Sequence, residues 1–180
     1  MFSILEKEIN NTVNSSLNEI EYFNFHKYRY QRFDLFLEKK FPLNSSNSKA
    51  LEIGSHYLHS SILLSTRGFA VDALDVSEFY ELDFVKERAE KFKLNSILEN
   101  DLSKLDSVSK NHNKYDLIVF TEILEHITFN PINFWKQVYQ ILKPGGIIYI
   151  STPNAFSLPY LIRNFKNIFF LNSVGISIDE

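Results

Sequence analysis

An apolar strand that runs directly into a glycine turn is the feature that most constrains the fold of this chain. Residues 49–54 read Lys-Ala-Leu-Glu-Ile-Gly, which is typical of a buried strand ending in a tight turn. A second apolar strand, residues 70–75, ends in Asp75 about twenty residues further along. At this distance in a βαβ unit, an acidic residue meets the ribose of a bound cofactor. The pattern therefore predicts a cofactor site at the carboxyl ends of two parallel strands.

The turn after Gly54 departs from the dinucleotide-binding pattern. His56 and Leu58 stand where that pattern requires glycine. Side chains at these positions keep the backbone from closely approaching a pyrophosphate. The turn therefore argues against NAD and a nucleotide-binding oxidoreductase, and it favours a cofactor without phosphates.

Periodicity predicts alternating helices and strands in the rest of the chain. Apolar and aromatic residues between 17 and 41 recur at helical spacing and predict an N-terminal helix. Further helices are predicted at residues 58–66, 77–92 and 131–142, and further strands at residues 96–99, 115–121 and 146–152. Ser77 is the predicted N-cap of its helix. The order predicts an α/β fold with a Rossmann-like, doubly wound, mainly parallel sheet.

The predicted organisation is one domain with three parts. They are an N-terminal helical segment (residues 1–48), a cofactor-binding core (49–154) and a C-terminal helical tail (155–180). The family resemblance given below implies one more strand pair at the C-terminal end of the sheet, and the tail is too short for it, so we expect a sheet truncated at that end. An open sheet edge and the apolar residues 168–171 predict a homodimer.

Composition excludes several classes of function. The 180 residues include 19 basic and 22 acidic residues and no cysteine. The balance of charges predicts no basic surface for nucleic acid or an anionic membrane. The absence of cysteine excludes disulfide and thiolate chemistry. Since no secretory signal is recognisable, we expect a cytoplasmic protein whose partner is a small molecule.

Motifs follow the predicted strands in a fixed order. They are Glu52-Ile53-Gly54, Asp75, Asn100-Asp101, Glu-Ile-Leu-Glu-His at 122–126 and Leu-Lys-Pro-Gly-Gly-x6-Pro-Asn at 142–154. Together they resemble a class I S-adenosylmethionine-dependent methyltransferase over roughly residues 49–154. Within that superfamily the chain looks most like the branch that acts on small hydroxylated molecules, which includes O-methyltransferases of quinone precursors and of cell-surface sugars.

The resemblance implies S-adenosylmethionine as cofactor and S-adenosylhomocysteine as product. Asp75 would bind the ribose hydroxyls, Asp101 the adenine amino group, and Leu102 the adenine ring. The residues implied in cofactor binding are Glu52, Gly54, Ser55, His56, Asp75, Asp101, Leu102, Thr121 and Glu122. Some of them have a structural alternative: Asp75 is also a suitable helix cap, Asp101 a cap before Ser103, and His56 a solvated loop residue rather than a cover for the methionine moiety.

The segment Glu-Ile-Leu-Glu-His contains the best catalytic candidates. If it is helical, Glu122, Glu125 and His126 project from one face at i, i+3 and i+4. The imidazole of His126 suits a general base for a sugar or phenolic hydroxyl, and a neighbouring glutamate would orient it. The three residues also resemble the divalent-metal site of small-RNA 2′-O-methyltransferases, but no histidine follows His126, so metal binding is possible and not favoured. A purely structural role for His126 stays open.

The predicted N-terminal helix carries a basic and aromatic cluster. Its members are Tyr28, Arg29, Tyr30 and Arg32, with His26 and Lys27 before them. One role for the cluster is to fold over the cofactor, with Arg29 or Arg32 at the methionine carboxylate. The other, which we favour from sequence alone, is docking on the sheet with a solvated basic face.

The sequence thus predicts methyl transfer from S-adenosylmethionine to a hydroxyl of a small molecule. The expected acceptor is a sugar or sugar-nucleotide of surface polysaccharide assembly. The alternative is a catalytically silent methyltransferase-like domain that binds the cofactor weakly or binds a protein partner, as the broken glycine run and the short C-terminal part indicate.

Overall fold

The computed structural model describes residues 1–11, 17–41, 43 and 47–154. Within them, five strands form one parallel sheet in the order β3-β2-β1-β4-β5. The strands are β1 Lys49–Ile53, β2 Ala70–Asp75, β3 Asn95–Leu98, β4 Tyr115–Thr121 and β5 Leu142–Ser151. The helices are α1 Phe2–Asn11, α2 Leu17–Lys40, α3 His59–Arg67, α4 Ser77–Tyr80, α5 Asp83–Lys91 and α6 Ile132–Ile141. The predicted Rossmann-like parallel sheet is confirmed.

The central strands β1 and β4 are buried along nearly their whole length. On one side of the sheet, Ile53 and Phe120 belong to a core that α6 closes. On the other side, Ala50 and Val119 belong to a second core, which α1, α2, α3 and α5 close. Burial on both faces is what a parallel strand between two helical layers requires. The chain therefore folds as three layers, with the sheet in the middle.

Helix α2 packs its aromatic face on the sheet and on α3. The Phe33 and Phe36 rings lie 4.7 and 4.8 Å from the ring of Tyr149 in β5. Nearer the start of the helix, Phe23 packs edge-on against His59 of α3, with ring centroids 5.6 Å apart. Because α2 contacts both β5 and α3, its middle turns pass beside the carboxyl ends of the strands between them.

Several element boundaries differ from the sequence prediction. The predicted helix over residues 77–92 is two helices, α4 and α5, because Leu82 between them is extended, with φ −68° and ψ 125°. Ser77 is the first residue of α4 and not its cap; Val76 holds the cap position and makes no capping hydrogen bond through its side chain. β5 begins at Leu142 because that residue already pairs with Tyr115 before a bulge shifts the register.

Helix α1 falls within the predicted N-terminal helical segment but is not predicted as a separate helix. It buries only Leu5 and Ile9, a pattern too short to distinguish a helix from a polar segment. The predicted tail at 155–180, including the apolar residues 168–171, lies outside the described residues, so the three-part organisation and the homodimer stay predictions. None of the helices that the structure describes offers the long apolar stretch that a bilayer crossing requires.

Candidate active site

A cavity of about 540 Å³, here called the strand-end cavity, opens at the carboxyl ends of β1, β2 and β4. β1 connects through α3 to β2 on one side, while β4 lies on its other side. Open α/β sheets bind their ligands at this kind of switch in strand order. The predicted site residues that line the cavity are Glu52, Gly54, Ser55, His56, Asp75, Thr121, Glu122, Glu125 and His126.

The loop after β1 reaches positive φ at three alternate positions, only one of which is glycine. Gly54, His56 and Leu58 have φ of 76°, 46° and 66°. This conformation costs a non-glycine residue about 1–3 kcal/mol. At Gly54 a side chain is excluded, because an added Cβ would lie 2.2 Å from Cδ1 of Ile123. The missing glycines therefore do not prevent the tight turns; the loop adopts them at an energetic cost.

His56 belongs to the wall of the strand-end cavity. Its ring centroid lies 3.7 Å from that of Tyr57, 4.2 Å from that of Phe79 and 4.5 Å from that of Tyr22. Burial lowers the pKa of His56 to about 3, so the imidazole is neutral at pH 7. Its Nδ1 is buried and has no hydrogen-bond partner in the described part of the chain. His56 is thus a packed aromatic residue and not a solvated loop histidine.

Asp75, at the end of β2, fastens the first loop. Its Oδ2 accepts a hydrogen bond from the backbone N–H of His56 at 2.5 Å, and its Oδ1 accepts one from Val76 at 2.7 Å. Burial raises the pKa of Asp75, and these two hydrogen bonds oppose that shift. A carboxylate offers about four acceptor sites. Asp75 therefore keeps the capacity to accept hydrogen bonds from a ligand in the cavity.

Glu52 and Ser55 complete the β1 side of the strand-end cavity. Glu52 is only 2% exposed, and the hydroxyl of Ser61 donates a hydrogen bond to its Oε2 at 2.5 Å. Burial raises the pKa of Glu52 to about 7. The hydroxyl of Ser55 lies 2.9 Å from that of Tyr80, which donates to a backbone carbonyl of β2. Near neutral pH, Glu52 is therefore balanced between its charged and neutral forms.

The segment that follows β4 is not the predicted helix. Glu122 has a φ of 55°, which ends the strand in a sharp turn, and Leu124–His126 form only one 3₁₀ turn. Glu122, Glu125 and His126 nevertheless line the same cavity, next to Thr121 at the end of β4. Their convergence comes from the turn at Glu122 and not from helical spacing.

Ser151 at the end of β5 and Thr152 just after it bind the two glutamates. The Ser151 hydroxyl donates to Glu122 Oε1 and the Thr152 hydroxyl donates to Glu125 Oε2, both at 3.2 Å. Burial raises the pKa of Glu122. Both glutamates therefore accept hydrogen bonds from residues at or just after the end of β5, and a role for either in orienting His126 stays a prediction. No group of three or more His, Asp or Glu side chains among the described residues is arranged to hold a metal ion.

One face of α2 forms a wall that the sequence analysis located only in part. Tyr22, His26, Arg29 and Tyr30 follow i, i+4, i+7 and i+8 spacing, and all line the strand-end cavity. The Nη2 of Arg29 donates to the Tyr30 hydroxyl at 2.8 Å and to the Tyr22 hydroxyl at 3.2 Å. The Nη1 of Arg29 lies 3.6 Å from Glu122 Oε1. Helical spacing identifies this face in the sequence but does not show what it covers.

The two arginines considered for the methionine carboxylate occupy different surroundings. Arg29 lines the cavity, whereas Arg32 is exposed and donates to the Tyr28 hydroxyl at 3.2 Å. The solvated basic face that we favoured from sequence therefore describes Arg32 and Tyr28 but not Arg29. Further lining residues that the sequence analysis missed are Tyr22, Phe25, His59, Ser60, Phe79 and Ile123.

Asp101 and Leu102 are not among the residues that line the strand-end cavity. The Oδ1 of Asp101 accepts hydrogen bonds from the backbone N–H and the hydroxyl of Ser103, and its Oδ2 lies 2.9 Å from Lys104 Nζ. The bonds from Ser103, with the ion pair to Lys104, lower the pKa of Asp101. Leu102 packs against the core on the α6 side of the sheet. This geometry matches the capping alternative, and adenine binding by the two residues stays a prediction.

Two solved structures with the same fold are described as methyltransferases. An S-adenosylmethionine-dependent methyltransferase of Archaeoglobus fulgidus superposes with a TM-score of 0.57 and 19% identity, over 88% of this chain and 69% of that one. A phosphoethanolamine N-methyltransferase of Haemonchus contortus, solved with S-adenosylhomocysteine, gives a TM-score of 0.54 and 17% identity, over 78% and 33% of the two chains. At these identities the likeness establishes the fold, which is that of class I S-adenosylmethionine-dependent methyltransferases.

Sequence comparison identifies the family. The profile of the methyltransferase domain matches residues 25–174. The ubiquinone biosynthesis O-methyltransferase of Coxiella burnetii is 28% identical over 131 residues, which are 73% of this chain and 50% of that protein. The protein of the same name from Rickettsia typhi is 28% identical over 168 residues, 89% of this chain and 66% of its own length. This chain belongs to the methyltransferase domain family, as its motifs predicted, and it spans half to two thirds of these relatives.

Substitution of His56 measures the strain in the first loop. His56→Gly and His56→Ala both remove the imidazole and differ in how readily they adopt a φ of 46°. We expect the glycine variant to have the larger free energy of unfolding in urea, by about 0.5–1 kcal/mol after its extra unfolded-state entropy is included. The control pair Lys86→Gly and Lys86→Ala, on the exposed side of α5, should show the opposite order. A more stable alanine variant at position 56 would contradict the inference that the backbone of His56 is strained.

Glu52→Gln tests the raised pKa of Glu52. The pKa is about 7 in the folded protein, above the ordinary value of 4.5, so the folded state binds the proton more tightly and loses stability as pH rises through this window. The glutamine variant lacks this titration. We expect its unfolding free energy, relative to that of the unmodified protein, to increase by about 1–3 kcal/mol between pH 5 and pH 8. Urea denaturation at both values measures this, and a difference independent of pH would show that Glu52 is ionised throughout.

Proposed function

We propose that this chain binds S-adenosylmethionine in the strand-end cavity and transfers its methyl group to a hydroxyl oxygen of a small molecule. The observation that carries this is Arg29, whose Nε and Nη1 are buried with no hydrogen-bond partner among the described residues. A buried guanidinium whose donors lack hydrogen bonds favours an anionic group of a ligand. Family membership and the relatives' O-methyltransferase names support the same cofactor and oxygen as the acceptor atom.

The residues of the strand-end cavity fit this cofactor by their chemistry. Arg29 matches the methionine carboxylate in a charge-assisted pair. The remaining acceptor sites of Asp75 match the two ribose hydroxyls. Glu52 and Glu122 add carboxyl groups to the same cavity, and this acidic character suits a sulfonium cation. When bound, the cofactor supplies an electrophilic methyl group on sulfur.

The part of the chain in the reaction is to position the acceptor and remove its proton. We assign the base to His126, because its imidazole is exposed at the cavity and can take the hydroxyl proton on a ring nitrogen and release it to water. Glu122 is less suited to this role, since it accepts a hydrogen bond from Ser151 and lies beside Arg29. Glu122 and Glu125 would instead bind and orient the acceptor.

The acceptor that the cavity supports best is an aromatic hydroxyl compound. Tyr22, Phe25 and Phe79 on the cavity wall offer ring faces and edges against which such a molecule can pack. The relatives' place in ubiquinone biosynthesis favours the same class. The sugar or sugar-nucleotide expected from sequence stays a prediction, and a screen of phenols and sugars as acceptors distinguishes the two.

Binding measurements test the cofactor assignment. We expect calorimetry to detect S-adenosylhomocysteine and not NAD⁺, and Asp75→Ala to weaken the binding roughly tenfold through lost hydrogen bonds to a charged acceptor. Arg29→Met should weaken S-adenosylhomocysteine similarly but leave 5′-methylthioadenosine, which lacks the amino acid part, unchanged. Arg32→Met is the matched control and should bind both ligands normally. If the unmodified protein does not bind S-adenosylhomocysteine at high micromolar concentration, the enzyme assignment is refuted. The remaining hypothesis is then the catalytically silent methyltransferase-like domain.

Turnover measurements test the base. We expect His126→Ala to lower kcat about 100-fold or more, the range typical of a lost general base, while its affinity for S-adenosylhomocysteine stays within about twofold. His112→Ala is the control, because His112 is exposed and lies outside the strand-end cavity. A His126→Ala protein with full turnover would refute the assignment.

A further inference from the structure

A buried polar chain runs from the wall of the strand-end cavity into the protein. The Tyr30 hydroxyl lies 3.1 Å from His59 Nδ1, and His59 Nε2 lies 2.9 Å from Glu19 Oε1. Arg88 Nη1 donates to the same Glu19 oxygen at 2.7 Å. All four side chains are at most 3% exposed, and they come from α2, α3 and α5. The chain begins at Arg29, which donates to the Tyr30 hydroxyl at 2.8 Å.

The partners allow only one direction for each hydrogen bond. Arg29 can only donate, so the Tyr30 oxygen accepts from it. Glu19 is a carboxylate because Arg88 pairs with it, so His59 must donate to it from Nε2. A neutral imidazole that carries its proton on Nε2 has an acceptor at Nδ1, which receives the Tyr30 hydroxyl proton. Burial lowers the pKa of His59 to about 4, in keeping with a neutral ring.

We propose that Tyr30 and His59 are positioning residues for the cofactor carboxylate: His59, fixed by Glu19 as the Nε2–H tautomer, turns the Tyr30 hydroxyl oxygen toward Arg29 and holds the guanidinium on the cavity wall. This inference rests on the proposed function, because it takes Arg29 as the group that binds the carboxylate. Neither residue touches the reacting atoms.

Competition from Glu122 is the physical reason that Arg29 needs such support. Arg29 Nη1 is 3.6 Å from Glu122 Oε1, which is just beyond hydrogen-bond distance. Without the Tyr30 hydroxyl, Nη2 keeps only the longer bond to Tyr22, at 3.2 Å. The guanidinium can then close on Glu122 and satisfy its donors there. A ligand carboxylate would have to break that ion pair before it could bind.

Paired ligands separate positioning from general damage. Tyr30→Phe keeps the ring and removes only the hydroxyl. We expect it to weaken S-adenosylhomocysteine roughly tenfold, the size of one lost hydrogen bond to a charged group, and to leave 5′-methylthioadenosine within about twofold. In an Arg29→Met background, Tyr30→Phe should have no further effect on S-adenosylhomocysteine. Equal weakening of both ligands, or additive losses in the double variant, would overturn the proposal.

Variants of His59 supply a second test in case Tyr30→Phe is poorly folded. His59→Asn can place its side-chain oxygen where Nδ1 stood and so retain an acceptor for Tyr30, whereas His59→Phe removes that acceptor. We expect the asparagine variant to retain the preference for S-adenosylhomocysteine over 5′-methylthioadenosine and the phenylalanine variant to lose it. Thermal unfolding of both variants is measured alongside. Equal preferences in the two variants would contradict the proposal.

The tautomer of His59 can be measured without any ligand. Nitrogen-15 chemical shifts of the imidazole in the full chain should report a protonated Nε2 and an unprotonated Nδ1 at pH 7. The opposite tautomer would overturn the positioning proposal even if the cofactor binds. Conversely, absence of S-adenosylhomocysteine binding together with the expected tautomer would refute the proposed function and leave the hydrogen-bonded chain as a structural feature.

Discussion

The buried carboxylate of Glu19 is the contact on which the placement of α2, and therefore the shape of the cavity, depends. His59 of α3 and Arg88 of α5 both approach its Oε1. Burial alone would raise the pKa of Glu19, but these hydrogen bonds hold that pKa below its ordinary value. Loss of one partner from a buried pair of this kind typically costs about 3–5 kcal/mol. Three helices are thus joined at one oxygen atom behind the wall of the strand-end cavity.

The polar contacts of Glu19 fix the rotation of α2 about its axis, which apolar packing alone cannot do. The aromatic face around Phe33 drives α2 onto the sheet, but burial of apolar area is not directional and tolerates rotation of the helix. Successive residues are about 100° apart around a helix axis, so Arg29 reaches the strand-end cavity while Tyr28 faces solvent. The directional bonds of Glu19 and Tyr30 select one rotation, and that rotation puts a cation into the cavity.

The charges of the strand-end cavity are held at a cost to stability. Glu52, Asp75 and Glu122 all have raised pKa values, chiefly because they are buried, and Arg29 is the cation among them. A carboxyl group whose folded pKa exceeds its unfolded one stabilises the fold least at high pH, since ionisation then favours the unfolded chain. A cleft that collects perturbed acids of this kind is a candidate functional site. The cavity thus brings three carboxyl groups and one guanidinium together, and this arrangement supports the proposal that a charged ligand binds there.

A feature of this structure is predictable from the sequence when the residues that determine it are close together in the chain. β1, β4, Gly54 and Asp75 are predictable because an apolar run, a tight turn and a strand-end acid each leave a mark within a few residues. The role of Asp101 is not predictable, because an aspartate that caps a turn and one that binds adenine occur in the same local sequence pattern.

The cavity wall formed by α2 is not predictable for a different reason. Helical spacing places Tyr22, Arg29 and Tyr30 on one face, but what that face meets is decided by Glu19 and Arg88, which are 69 positions apart. The conformation of the first loop is likewise not predictable from nearby residues. Nothing local predicts positive φ at Leu58, which is fully buried, so the packing of its side chain offsets the strain of its backbone. Conformations imposed by distant contacts leave no periodic trace in the sequence.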